Sequence, residues 1–214
     1  PWYVPKKYFD MYPLEDILIP ELLENDTSDL GDRAKELINR GGNYHKNVIE
    51  AGKWKEAIRG YLASITFADA MVGKLLENLK KSKYADNTII VIWSDHGWQL
   101  GEKMHWRKFA LWENVIKTLL MIKVPEGITV LPSGSKNGKN VESLTSLLDI
   151  YPTLVELCDL PKNNNLDGKS LVKLLNNPKL KIDRSIITTY DFADYSVRKG
   201  PWHYINYVDG SEEL

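Results

Sequence analysis

The chain has 214 residues, 43% of them hydrophobic and 27% charged, and its 28 basic against 29 acidic side chains leave a net charge of -1. That length buries a substantial core, in one large domain or in a medium domain with a small appendage, and the balanced charge gives nucleic acid or a membrane surface no hold as main partner. The single cysteine, Cys158, excludes an internal disulfide framework and a multi-cysteine metal site. No run of about 18 apolar residues occurs, so no membrane span is expected.

The opening, "PWYVPKKYFDMYP", lacks the pattern of a signal peptide and does not begin with methionine. The last strand-like run, "YINYVDGSEEL", has no tail, so both ends read as the edges of a fragment. Through residues 1–50, breaks recur in "VPKKY", "MYPLED", "LIPELL", "LGDR" and "RGGNY", which predicts extended loops with one or two short helices. From Trp54 to about Lys81 apolar residues return at three- and four-residue steps, among them Ile58, Leu62, Ile65, Val72, Leu76 and Leu79, the period of an amphipathic helix. Its basic ending, "KKSK", suits the helix dipole.

"NTIIVIW", Asn87 to Trp93, is almost wholly apolar and predicts a strand covered on both faces by helices. A second apolar run, Thr118 to Val124, closed by Pro125 and Gly127, predicts another strand of the same sheet. Helix followed by buried strand is an α/β pattern. Residues 132–140 read as a polar turn, and a helix is expected from near Ser146 with a kink or restart at Pro152. "DGKSLVKLLNN" predicts a further short helix, and from Arg184 aromatic and β-branched runs separated by Gly200-Pro201 predict an antiparallel subdomain. The expected division is therefore residues 1–180 and 181–214.

Asp95-His96-Gly97 ends the first predicted strand, where α/β sheets place their ligands. A carboxylate and an imidazole side by side can both reach a metal or an oxyanion, and Gly97 allows a sharp turn with a backbone N–H close to a ligand. The same tripeptide also reads as a capping Asp and a hydrogen-bonded His at an ordinary turn. Downstream, Trp98, His105, Trp106, Arg107 and Lys108 crowd into eleven residues of apparent loop. Large aromatic and cationic groups are costly to leave in water without a use. Lysine offers a compact charge to sulfate or phosphate, while Lys103 reads as solvated surface charge. His105 is a second candidate for substrate contact, His45 reads as solvent-facing in a polar loop, His203 as structural in a strand, and Cys158 as a core cysteine of a leucine-rich helix.

"NTIIVIWSDHGWQLGEKMHWRKFALWE" resembles the second half of the catalytic domain of the type I sulfatases, in the iduronate-2-sulfatase and choline-sulfatase-like branch of the alkaline phosphatase superfamily. The resemblance extends to "GYLASITFADAMVGKLLENL", to "LLDIYPTLVELCDLP" with "LDGKSL", and to "YSVRKGPWHYINYVDGSEEL", in the family's order. It implies an α/β fold, an alkaline phosphatase-like sandwich of helices around a mixed sheet. Residues 1–180 would be the C-terminal part of the catalytic domain, and residues 181–214 the start of a small α+β subdomain. It also implies hydrolysis of a sulfate ester, on a sulfated sugar or other sulfated small molecule, by a formylglycine made in a C/S-x-P-x-R motif with a divalent cation, usually Ca2+. Asp95 then matches the metal aspartate, His96 a further metal or sulfate contact with a catalytic role, and Lys108 the catalytic lysine at the sulfate. Trp98, His105 and Arg107 would line the substrate. A hard cation and a lysine would together neutralise the oxyanion; His96 is the weaker ligand because calcium prefers oxygen.

The chain departs from the family in having no C/S-x-P-x-R motif and no paired aspartates near its start. It is expected to be the C-terminal portion of a sulfatase, inactive by itself, with the missing N-terminal portion as its partner. The resemblance implies a periplasmic, extracellular or lysosomal setting. Two other readings remain: a metal-dependent phosphoesterase or phosphonate hydrolase of the same superfamily, which would need a downstream ligand that only His203 could supply, and a non-catalytic binder of sulfated glycans.

Overall fold

Proline sets the first helical turns: Pro5 precedes α1 (Lys6–Phe9) and Pro13 precedes a 3-10 turn (Leu14–Asp16), each with φ fixed at -55°. In the computed structural model, which describes residues 2–23, 25–40, 42 and 44–214, two longer helices follow, α2 (Asp32–Asn39) and α3 (Tyr44–Glu50). The first 50 residues are therefore more helical than the breaks predicted. The reason is that the breaks delimit helices instead of interrupting them: Gly31 stands at the N-cap of α2, whose Ala34 and Leu37 are fully buried. Of the break at residues 40–44, Gly41 and Asn43 lie outside the described residues.

α4 (Trp54–Lys80) fills the span that the apolar period marked out. It buries Ile58, Gly60 and Ala63, and Ile58 forms a core with Ile17 and Trp106 against which Trp2, Tyr12, Val48, Trp54 and Leu62 pack. Gly60 is small because Trp2 lies over it, 3.0 Å from where a Cβ would stand. This core belongs to the first of two compact units, Pro1–Lys83 with Trp98–Ala110; the second is Tyr84–Gly97 with Leu111–Leu214.

In the second unit the chain enters β1 (Ile90–Trp93). The hairpin of β2 (Gln99–Leu100) and β3 (Trp106–Arg107), joined by a 3-10 turn at Glu102–Met104, returns to the first unit. α5 (Glu113–Ile116) and β4 (Leu120–Lys123) belong again to the second. β4 pairs antiparallel with β1, Ile90 opposite Lys123 and Trp93 opposite Leu120. The two apolar runs do share a sheet, but β1 is not covered on both faces: Ile90 to Ile92 are half-buried and Trp93 is exposed. Among the described residues β1 has no second ladder partner, so a run apolar enough for a sheet interior stays partly open to water.

The core of this unit joins Val124, Leu131, Leu157 and Val172, with Ile122 of β4 packed against them. Leu157 ends α6 (Ile150–Leu157) and Val172 begins α7 (Val172–Asn176). A 3-10 turn, Leu147–Asp149, leads into α6 through a capping box between Ser146 and Asp149. Pro152 sits in the first turn of α6, where its missing N–H costs nothing, so the expected kink is instead a change from 3-10 to α geometry. From Ser185 onward an antiparallel meander forms, β5 (Ser185–Asp191), β6 (Asp194–Lys199), β7 (Trp202–Asn206) and β8 (Glu212–Glu213), in sequential order. No helix among the described residues is long and apolar enough to cross a membrane.

Candidate functional site

Asp95 and His96 lie in the turn that leaves β1. Ser94 anchors it: its N–H donates to Leu119 O (3.1 Å), its hydroxyl donates to His96 O (2.8 Å), and its carbonyl accepts from the Thr118 hydroxyl (2.8 Å). Gly97 donates its N–H to Val115 O (2.7 Å) at the end of α5. A Cβ there would come within 2.1 Å of Asn114 O. The glycine is thus needed for packing against α5, and its own N–H is bonded within the protein.

His96 Nδ1 lies 2.7 Å from Gly97 O. A carbonyl only accepts, so Nδ1 carries a proton and donates it. The ring's Nε2 stands 3.4 Å from Oδ1 of Asp95, whose side chain is 66% exposed. A carboxylate oxygen and an imidazole nitrogen so placed are the residues here that could hold a cation; no group of three metal-ligating side chains occurs among the described residues.

The hairpin is held separately, within the first unit. Trp54 Nε1 donates to Leu100 O (2.8 Å), and the Trp54 ring fills the space a Gly101 side chain would need, 2.4 Å from the position of its Cβ. Lys103 and Met104 adopt φ of 49° and 52°, the left-handed region that non-glycine residues avoid. Asp26 secures this turn: its Oδ2 accepts from Lys103 N (3.0 Å), and its backbone carbonyl accepts from Lys103 Nζ (3.1 Å). Lys103 is therefore an anchor and not the solvated surface charge expected. Arg107, at φ 82°, stacks its guanidinium over Tyr44 (4.7 Å) and Phe109 (5.4 Å), and Lys108 Nζ lies 5.8 Å from the Phe109 ring. Trp98 stacks on Tyr61, and Trp2 lies tilted against Trp98 and edge-on to Tyr61.

The remaining expectations fare unequally. His105 is only 2% exposed, and burial lowers its pKa to about 4, so the imidazole is a neutral packing group in the hairpin. His45 lies in α3 and not in a polar loop; it accepts from Trp106 Nε1 (3.1 Å), meets Trp54 edge-on, and has its pKa lowered by burial. His203 lies on β7 with Nδ1 3.9 Å from Glu113, and burial lowers its pKa. Cys158 is exposed, contrary to the core position expected, because α6 ends at Leu157 and the cysteine occupies its C-cap. Tyr44, Phe109 and Asp26 were missed. Nothing near Asp26 in sequence signals a partner 77 residues away.

A family model described as Sulfatase matches residues 5–160. The chain is 40% identical, over its whole length, to a sulfatase of Formosa agariphila, and 29% identical over 75% of its length to the iduronate 2-sulfatase of Mus musculus. It spans 41% of the first and 34% of the second. Among solved structures, one crystallised with its substrate D-glucosamine-2-N,6-O-disulfate matches 79% of the chain and 37% of its own, with TM-score 0.67 and 25% identity. A phosphonate monoester hydrolase of Silicibacter pomeroyi matches 98% of the chain and 47% of its own, with TM-score 0.73 at 20% identity, a likeness of fold.

Proposed function

The chain belongs to the sulfatase family, with the α/β, alkaline phosphatase-like fold of its relatives, and from that premise we propose that it is the C-terminal part of a sulfuric ester hydrolase acting on a sulfated sugar or glycosaminoglycan-type substrate. The reaction exchanges the ester oxygen on sulfur for one from water, giving the free alcohol and sulfate. Residues 1–180 would complete the catalytic domain and residues 181–214 would begin a small α+β subdomain, for which the meander starting at Ser185 is the support. A periplasmic, extracellular or lysosomal setting goes with this reading.

The observation that carries the proposal is the exposed Asp95 carboxylate with the His96 ring beside it, Nε2 3.4 Å from Oδ1. Asp95 supplies a hard oxygen suited to calcium, and His96 a second, softer contact with metal or sulfate. Lys108 brings a point charge to the sulfate oxygens, where charge grows in the transition state. Asp95 and His96 would hold the cation, whose positive charge would offset that on those oxygens, and the nucleophile would come from a formylglycine, for which no C/S-x-P-x-R motif occurs in this chain. Trp98 and Arg107 contact substrate, while the burial of His105 takes it out of the contact expected for it.

Substitution in the complete protein tests the assignment. Lys108→Ala should lower kcat/KM by roughly a hundredfold, about 3 kcal/mol of transition-state stabilisation, and Asp95→Ala should weaken calcium binding measured by calorimetry. Unchanged calcium affinity in Asp95→Ala removes that residue from the site.

A further inference from the structure

Arg107 combines three features that packing alone does not require. It holds a long cationic side chain at φ 82°, where glycine would be accommodated without strain. Its guanidinium lies over two rings, Tyr44 from α3 and Phe109 two residues further on. Among the described residues, no carboxylate pairs with it or with the adjacent Lys108. Stacking occupies the π surface of a guanidinium and leaves its in-plane N–H donors for hydrogen bonds. Those donors form a fork that matches two oxygens of a planar carboxylate or of a sulfate. The rings also restrict the side chain before any ligand arrives, so less conformational freedom is lost on binding.

We propose that Arg107 is a specificity-determining residue that grips a second oxyanion, a sulfate or a carboxylate, on a sugar whose reacting sulfate is held by Lys108. This rests on the sulfatase reading and deepens it: the preferred substrates are sulfate esters that carry another negative group. Tyr44, on an element far from the hairpin in sequence, acts as the positioning residue that holds the guanidinium over its ring.

The test titrates the 214-residue chain, with calcium present, against three probes followed by NMR chemical-shift changes. They are glucose 6-sulfate with one anion, glucosamine-2-N,6-O-disulfate with a second sulfate, and a 2-O-sulfated uronic acid with a carboxylate. At least one of the two dianions should bind about tenfold tighter than the monosulfate, and which one does so identifies the second anion. Arg107→Lys keeps the charge without the fork, and Arg107→Gly removes the side chain at a backbone angle that glycine accepts; both should abolish the preference, so that neither dianion binds tighter than glucose 6-sulfate. Tyr44→Leu should reduce it. Equal binding of all three probes by the unaltered chain, no binding of any, or a preference that survives in both Arg107 variants, overturns the proposal. Lys108→Ala should weaken all three probes alike; if it weakens none, the sulfate site assigned to Lys108 fails, and this result is separate from the ratio that reports on Arg107.

Discussion

His105 illustrates how a residue chosen for its chemistry can be claimed by the core. Burial lowers its pKa from 6.5 to about 4; a hydrogen bond with the Ile38 backbone opposes the shift, and the charge on Arg107 adds to it. A histidine depressed in the folded state binds fewer protons there than in the unfolded chain, so its contribution to stability is complete above pH 6.5 and is lost as pH falls from 6.5 toward 4. Urea titrations at pH 7 and pH 5 should show the midpoint falling with acidification, with His105→Phe flattening that dependence; across the whole window the effect is on the order of 3 kcal/mol. A pH profile identical in both proteins would remove His105 as its source. Asp95, His96 and Lys108 were legible as candidates because strand ends and short spacings are local in sequence. The roles of Lys103 and Tyr44 were not, since each depends on a partner brought near only by folding.

Elements whose signal is periodic were read well. α4 stops one residue from its predicted end, and the runs at 87–93 and 118–124 became paired strands, each trimmed by hydrogen bonding to four residues. The first 50 residues were under-read, because short helices such as α2 and α3 draw their stability from packing and not from sequence period. The start of α6 carries more than a cap. Asp149, with no exposed surface, accepts from Ser146 N (2.8 Å), from Lys169 N (2.8 Å), and from both Arg184 guanidinium nitrogens (2.8 and 3.2 Å). One carboxylate thus fastens the helix entrance to the segment before α7 and to the entry of β5. Asp149→Ala leaves Arg184 enclosed without a counter-charge and should cost about 3–5 kcal/mol in chemical denaturation. In the Arg184→Leu background the same substitution should cost less, and an equal cost in both backgrounds would show that the ion pair contributes nothing.

At the level of the whole molecule, the α/β class was legible, while the interleaving of two compact units was not: residues 98–110 leave one unit's sequence to join the other, and no local pattern marks such a crossing. Trp93, Leu119 and Met121 remain exposed on or beside the β1–β4 pair, and the chain holds no residue in a formylglycine motif. The isolated chain should therefore show no turnover of 4-nitrocatechol sulfate with calcium present, and should self-associate in sedimentation experiments. Turnover above background would require a nucleophile within these 214 residues. The exposed C-cap of α6 has a practical outcome as well. Because Cys158 is the sole thiol in the sequence and stands at the surface, a maleimide dye will attach at one address, giving each molecule a single optical reporter with which assembly can be counted.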